Sequence, residues 1–155
     1  MMEHMVSITF EGRLPAGVGR AELERLAGLA YARGGGRGGA SMSLSVIGDA
    51  RMRSLNRAWR GKDRTTDVLS FGFKERKGFV LPGPEKAAND IGDLFVSLPQ
   101  VRRQAKRIGR PLREEFALMV VHGVLHLLGH DHETLRQERA MFALQHDILI
   151  RAGIL

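Results

Sequence analysis

No cysteine occurs among the 155 residues, so disulfides and thiolate metal sites are excluded and a reducing compartment is compatible. No apolar run approaches the roughly 20 residues that a bilayer-crossing helix needs. Residues 1–11 also lack the basic stretch and long apolar core of a signal peptide. A cytoplasmic protein without a membrane partner is the expectation. Acidic residues are scarce, 17 against 24 lysines and arginines, which gives a formal net charge of +7 and an isoelectric point near 10.7. Such a field favours polyanions, nucleic acid above all, because contacts to phosphates release condensed counterions. Charge alone does not choose between RNA and DNA. The glycine-rich stretch 33–39 is not followed by Gly-Lys-Ser/Thr, which excludes a phosphate-binding P-loop there and leaves a flexible turn, with an arginine-glycine RNA contact as the alternative. There is no internal repeat and no long linker, so residues 1–155 are expected to form one domain.

Histidine is concentrated instead. Four of the six fall between His122 and His132, and three follow the spacing H-x-x-x-H-x-x-G-x-x-H. His122 and His126, four apart, share one helix face, separated by roughly 6 Å of rise. Gly129 is suited to end that helix in a left-handed turn, after which His132 folds back to complete the set. His130 would stand about 12 Å from His122 on a continued helix, too far to share an ion. His122, His126 and His132 are therefore the expected ligands of one metal ion, with a fourth position left for water, as in catalytic zinc sites. Zinc is the first choice for imidazole donors, and nickel, copper or iron also suit them. His4 and His146 stand apart and are expected at the surface.

Hydrophobic periodicity places these residues. Alternation over 6–10 predicts a strand, and Leu23, Leu26, Ala27 and Ala30 mark a helix over 15–32. A second strand is expected at 43–47, a helix at 49–59 capped by Asp49, and a third strand at 68–73. Residues 74–89 read as a loop and 90–97 as a fourth strand. Helices are predicted at 100–108, 112–128 and 133–152, the second bearing the first two histidines. Phe116, Met119, Val120 and Val124 should face the core, as should Met141, Leu144, Ile148 and Leu149. The sum is an α+β domain: a small mixed four-stranded sheet packed with about five helices, the metal site at the end of the histidine helix.

Two basic clusters supply the charge. One holds Arg51, Arg53, Arg57, Arg60, Lys62 and Arg64; the other holds Arg102, Arg103, Lys106, Arg107, Arg110 and Arg113. Arg103, Lys106 or Arg107, and Arg110 recur at helical spacing, predicting one cationic stripe along a polyanion-binding face. The histidine spacing is also that of metzincin proteases, in which glutamate follows the first histidine as general base. Here that position is Gly123. Without the carboxylate, a cationic site better suits an anionic phosphodiester, where metal and arginine share developing charge.

The segment Asn56-Arg-Ala-Trp-Arg60-Gly-Lys-Asp-Arg-Thr-Thr-Asp67-Val-Leu-Ser70-Phe71, then Ile91-Gly-Asp93, precedes the histidine motif. In that order they closely resemble the YbeY family of endoribonucleases, or rRNA maturation factors, over about residues 45–149. The resemblance implies a zinc-dependent, single-strand-specific endoribonuclease with one ion per chain. It implies action in rRNA maturation, notably at the 3′ end of small-subunit rRNA, and in ribosome quality control, with the small ribosomal subunit and its assembly proteins as partners. His122, His126 and His132 match the family's metal ligands, and Arg60 matches its functional arginine, near the metal to hold a phosphate. Lys62, Arg103, Lys106, Arg107 and Arg110 are then candidates to hold RNA backbone. Three departures stand out: His130 where tyrosine is frequent, Gly72 where proline often follows, and a longer 74–89 loop. Asp131 or Asp93 is a candidate acceptor for a ligand histidine, Asp131 equally a turn former. Trp59 suits either a core position or stacking on a base. Asp67, Ser70 and Phe71 are expected to fix the strand. Two other functions share the motif: a non-catalytic, zinc-stabilised ribosome assembly factor, and a metzincin-like zinc peptidase.

Overall fold

A computed structural model describes residues 5–72 and 89–155. His4 and residues 74–88 of the expected loop lie outside the described residues. The elements follow as β1 (Val6–Glu11), α1 (Arg20–Arg33), β2 (Ala40–Ile47), α2 (Asp49–Arg60), β3 (Val68–Gly72), β4 (Asp90–Ser97), α3 (Leu98–Ile108), α4 (Leu112–Leu127) and α5 (Leu135–Arg151). Among the described residues this is the expected α+β architecture, a mixed four-stranded sheet with five helices. The strand order is β1-β2-β4-β3, with β1, β2 and β4 parallel and β3 antiparallel to β4. Among the described residues no helix is long and apolar enough to cross a membrane.

Alternation along the strands divides the core in two. Met42 and Leu44 of β2, with Leu94 and Val96 of β4, join α1, α4 and α5 in the larger cluster. Ile47, Leu69, Phe71 and Phe95 point to the opposite face, where Met52 of α2 covers them. The four predicted core residues of α4 are all buried, as are Met141, Ile148 and Leu149, with Leu144 partly so.

Capping chemistry sets helix boundaries that differ from the expected ones. Helix α1 begins at Arg20 rather than at 15, because Val18 N–H bonds Pro15 O at 3.2 Å in a turn and Gly19 is the cap. Helix α5 starts after Thr134, whose Oγ1 accepts from Gln137 N while Gln137 Oε1 accepts from Thr134 N, both at 3.1 Å. Asp49 is not a cap. Gly48 takes that position, and the Asp49 carboxylate accepts from Ser97 Oγ (2.9 Å), Thr65 Oγ1 (3.1 Å) and Arg103 (3.0 Å), tying α2 to α3 and to the segment before β3.

Helix α4 is apolar nearly all round and is correspondingly enclosed. Its one buried acid, Glu115, is 1% exposed and accepts from Gln104 at 2.7 Å and Arg110 at 3.1 Å. A carboxylate in a first helical turn also suits the positive end of the helix dipole. Gly123 marks the close approach of α4 to the sheet: a Cβ there would lie 2.6 Å from Leu94 Cδ2 and 2.9 Å from Cδ1. Leu94 is fully buried and has little room to move. Overpacking of this kind costs about 1–3 kcal/mol, against roughly 1 kcal/mol that alanine gains over glycine in a helix. Gly123→Ala should therefore lower stability in urea unfolding, and Leu94→Ala in the same chain should recover part of the loss. Strictly additive costs in that double-mutant cycle would show that the two residues do not compete for space.

Candidate metal centre and cleft

Four buried residues of α4 (Phe116, Met119, Val120 and Val124) turn one side of the helix into the core. His122 and His126 are left partly exposed on the side facing β3. After Leu127 the chain reverses. Gly129 has φ +93°, its N–H donates to His126 O at 3.0 Å, and His130 N–H donates to Leu125 O at 3.0 Å. The predicted left-handed turn is thus present and returns His132 to the same place. The three rings lie 4.5, 5.6 and 5.1 Å apart between centroids. One ligand nitrogen from each falls within 4.8 Å of the others, and the set could hold a metal ion. His130 stays out of it: its Nε2 meets Gly34 O at 2.8 Å, pinning the turn to the end of α1. His146 is exposed on α5, as expected.

The electrostatics suit cation binding. Burial, reinforced by the nearby His132, lowers the His122 pKa, while Gln145 and Asp67 act in the opposite sense. His126 is pulled from 6.5 to about 4, first by burial and then by His122 and His132. Both imidazoles are neutral at pH 7 and keep lone pairs for an ion. His122 Nε2 and His126 Nε2 are 3.0 Å apart, two donor atoms already converged.

A cleft of about 330 Å³ surrounds the cluster, lined also by Arg60, Asp67, Ser70 and Gly123. Arg60 ends α2. Its Nη2 donates to Ser70 O at 2.8 Å, and its guanidinium carbon stands 4.8 Å from the Phe71 ring centroid. Residues 60 and 122 are thereby brought to one cleft from helices on opposite faces of the sheet. Asn56, 3% exposed, donates to Arg64 O at 2.8 Å and shapes the segment that carries the exposed Lys62. Asp67 Oδ1 accepts from Val68 N at 2.8 Å, a strand-fixing bond of the kind expected, although its carboxylate also borders the cleft. Trp59 is neither fully core nor free: it is 41% exposed and edges onto Phe71 at 6.0 Å.

The second basic cluster is rearranged relative to expectation. Arg103 is paired with Asp49 at 2.8 Å, and Arg110 lies beyond the Gly109 cap with its guanidinium on buried Glu115. The single stripe is broken, because carboxylates brought in by the fold draw two of its members away. Among the described residues Arg102, Lys106 and Arg107 make no ion pair, and all three are exposed on α3.

Among the described residues neither Asp131 nor Asp93 accepts a hydrogen bond from a histidine ring of the cluster. Asp131 Oδ1 accepts the His132 backbone N–H at 2.7 Å, the turn-forming role. Asp93 is buried and accepts from Ser43 Oγ between β2 and β4. Gln145 of α5 takes the place, with Oε1 2.6 Å from His122 Nδ1. The sequence held a signal for it: Gln145 is the polar residue on a helix face otherwise marked by Met141, Ile148 and Leu149.

The family model described as Endoribonuclease YbeY matches residues 22–153. A protein named Endoribonuclease YbeY from Geobacillus thermodenitrificans is 43% identical over 117 residues, 75% of each chain. One of the same name from Bacillus licheniformis is 37% identical over 155 residues, covering 99% of this chain and 98% of its own. The solution structure of TM1509 from Thermotoga maritima superimposes with a TM-score of 0.58 at 26% identity, covering 96% of this chain and 89% of that one.

The lowered His126 pKa has a consequence for the metal-free protein. Below pH 6.5 the unfolded chain takes up a proton that the folded state refuses until about pH 4. Stability should therefore fall as pH drops through that window, and His126→Ala should flatten the dependence. Urea midpoints measured across the window, in the presence of a chelator, check this; equal slopes for the two proteins would remove His126 as the cause.

Proposed function

The chain belongs to the YbeY endoribonuclease family, and from that premise we propose that it is a zinc-dependent endoribonuclease specific for single-stranded RNA. Its substrate would be ribosomal RNA in the cytoplasm. The task would be rRNA maturation, notably at the 3′ end of small-subunit rRNA, and ribosome quality control beside the small subunit and its assembly proteins. The observation that carries the activity is the shared cleft: three converging histidines and a tethered arginine, in a chain of this family.

His122, His126 and His132 would hold one zinc ion, and three nitrogen donors fit that metal. Zinc, when bound, supplies Lewis acidity that brings the pKa of water to about 7. Arg60 is the proposed catalytic side chain. Its bond to Ser70 O and its position over Phe71 fix one face of the guanidinium. A guanidinium held beside the three histidines is suited to a phosphate oxygen, where it would offset the negative charge that develops during cleavage. Gly123 stands where a metzincin peptidase carries its glutamate, so the motif lacks that general base. Lys62, Arg103, Lys106, Arg107 and Arg110 remain the candidate backbone contacts. Lys106 and Arg107 lead this group, since Arg103 and Arg110 are held by Asp49 and Glu115.

Arg60→Glu should stay folded and zinc-loaded while its cleavage of single-stranded RNA falls by about 10²–10³-fold, the scale of losing one charge-stabilising donor. Removing zinc with a chelator should abolish cleavage, and adding it back should restore it. Cleavage by pure Arg60→Glu protein at the wild-type rate would withdraw the catalytic role from that arginine.

A further inference from the structure

The two ring nitrogens of His122 have different surroundings. Nε2 lies 3.0 Å from His126 Nε2, within the three-histidine cluster. Nδ1 lies 2.6 Å from Gln145 Oε1. Gln145 is 5% exposed and comes from α5, 23 residues along the chain. A neutral imidazole carries one proton on one of its nitrogens. An amide oxygen only accepts, so the proton resides on Nδ1 and the Nε2 lone pair is left toward the cluster. The same bond fixes the rotation of the ring.

We propose that Gln145 is a positioning residue for the metal centre, its buried amide oxygen setting the tautomer and orientation of His122 without adding charge. The inference rests on the metal centre proposed above. A carboxylate in this place would pass negative charge through the imidazole and raise its basicity as a ligand. The amide orients the ring and leaves the cationic character of a three-histidine site undiminished. That combination suits a centre that must attract a phosphodiester. The support also makes the metal centre depend on the docking of α5 against α4, joining the last helix of the fold to the cleft.

Two measurements on the full chain test it. Zinc affinity is read by competition with a chromophoric chelator, and the His122 tautomer by nitrogen-15 NMR of the metal-free protein. The wild type should show the Nδ1–H form. Gln145→Met keeps the length and removes the acceptor, and should weaken zinc binding by about 10–100-fold. Gln145→Glu should bind at least as tightly as wild type. A merely structural role would lower the melting temperature of the methionine variant without moving the zinc affinity of its folded form, and would not separate glutamate from methionine. Wild-type protein that binds no zinc overturns the metal centre itself. Wild-type protein that binds zinc yet carries the His122 proton on Nε2 when metal-free overturns the role of Gln145. So does a folded Gln145→Met protein with unchanged affinity. The tautomer measurement needs no variant and decides the matter even where Gln145→Met fails to fold.

Discussion

The close contact of α4 with β4 at Gly123 and Leu94 is the constraint on which the site depends. A helix seated this near the sheet presents His122 and His126 to the edge where β3 runs, and β3 carries the Ser70 carbonyl that holds Arg60. Any side chain at 123 would lift the helix or displace a fully buried leucine. The glycine thus does two things by one absence. It lets the histidines approach the strand, and it leaves the motif without the glutamate that follows the first histidine of a metzincin.

Around that contact, polar groups are arranged as ties between elements. Asp49 links α2 to Ser97, Thr65 and Arg103; Glu115 gathers Gln104 and Arg110 beneath the start of α4. Gln104 also donates to Asp67 Oδ2 at 3.3 Å, so the Glu115 cluster reaches the rim of the cleft. The exposed Asp49–Arg103 pair adds little stability in water, but it decides where a guanidinium points. The protein's positive charge is therefore less available than its count suggests, and among the described residues the exposed cations of α3 outside an ion pair are Arg102, Lys106 and Arg107.

Much of this was legible in the chain. The periodicities of 23–30, 90–97 and 116–124 identified a helix, a strand and the inward face of α4, because burial on one side imposes repeats of 3.6 and 2 on any sequence. The histidine spacing and Gly129 identified the three-histidine cluster and its turn, because both rest on contacts within a dozen residues. The errors share a different origin. Asp49 looked like a cap, and Arg110 like part of a stripe, until Ser97, Thr65 and Glu115 arrived from elsewhere in the chain to claim them.

By itself, then, the sequence determined the α+β class, the three histidines, the excess of positive charge and the resemblance that makes RNA the substrate to test. These follow from local periodicity, short spacing and composition. Only the tertiary structure decided that Gln145 supports His122, that Arg60 reaches the cleft through Ser70, and that Gly123 is needed for the approach of α4 to Leu94. Each of those joins residues from separate elements. Their pairing is fixed by how the helices pack on the sheet, which no spacing along the chain encodes.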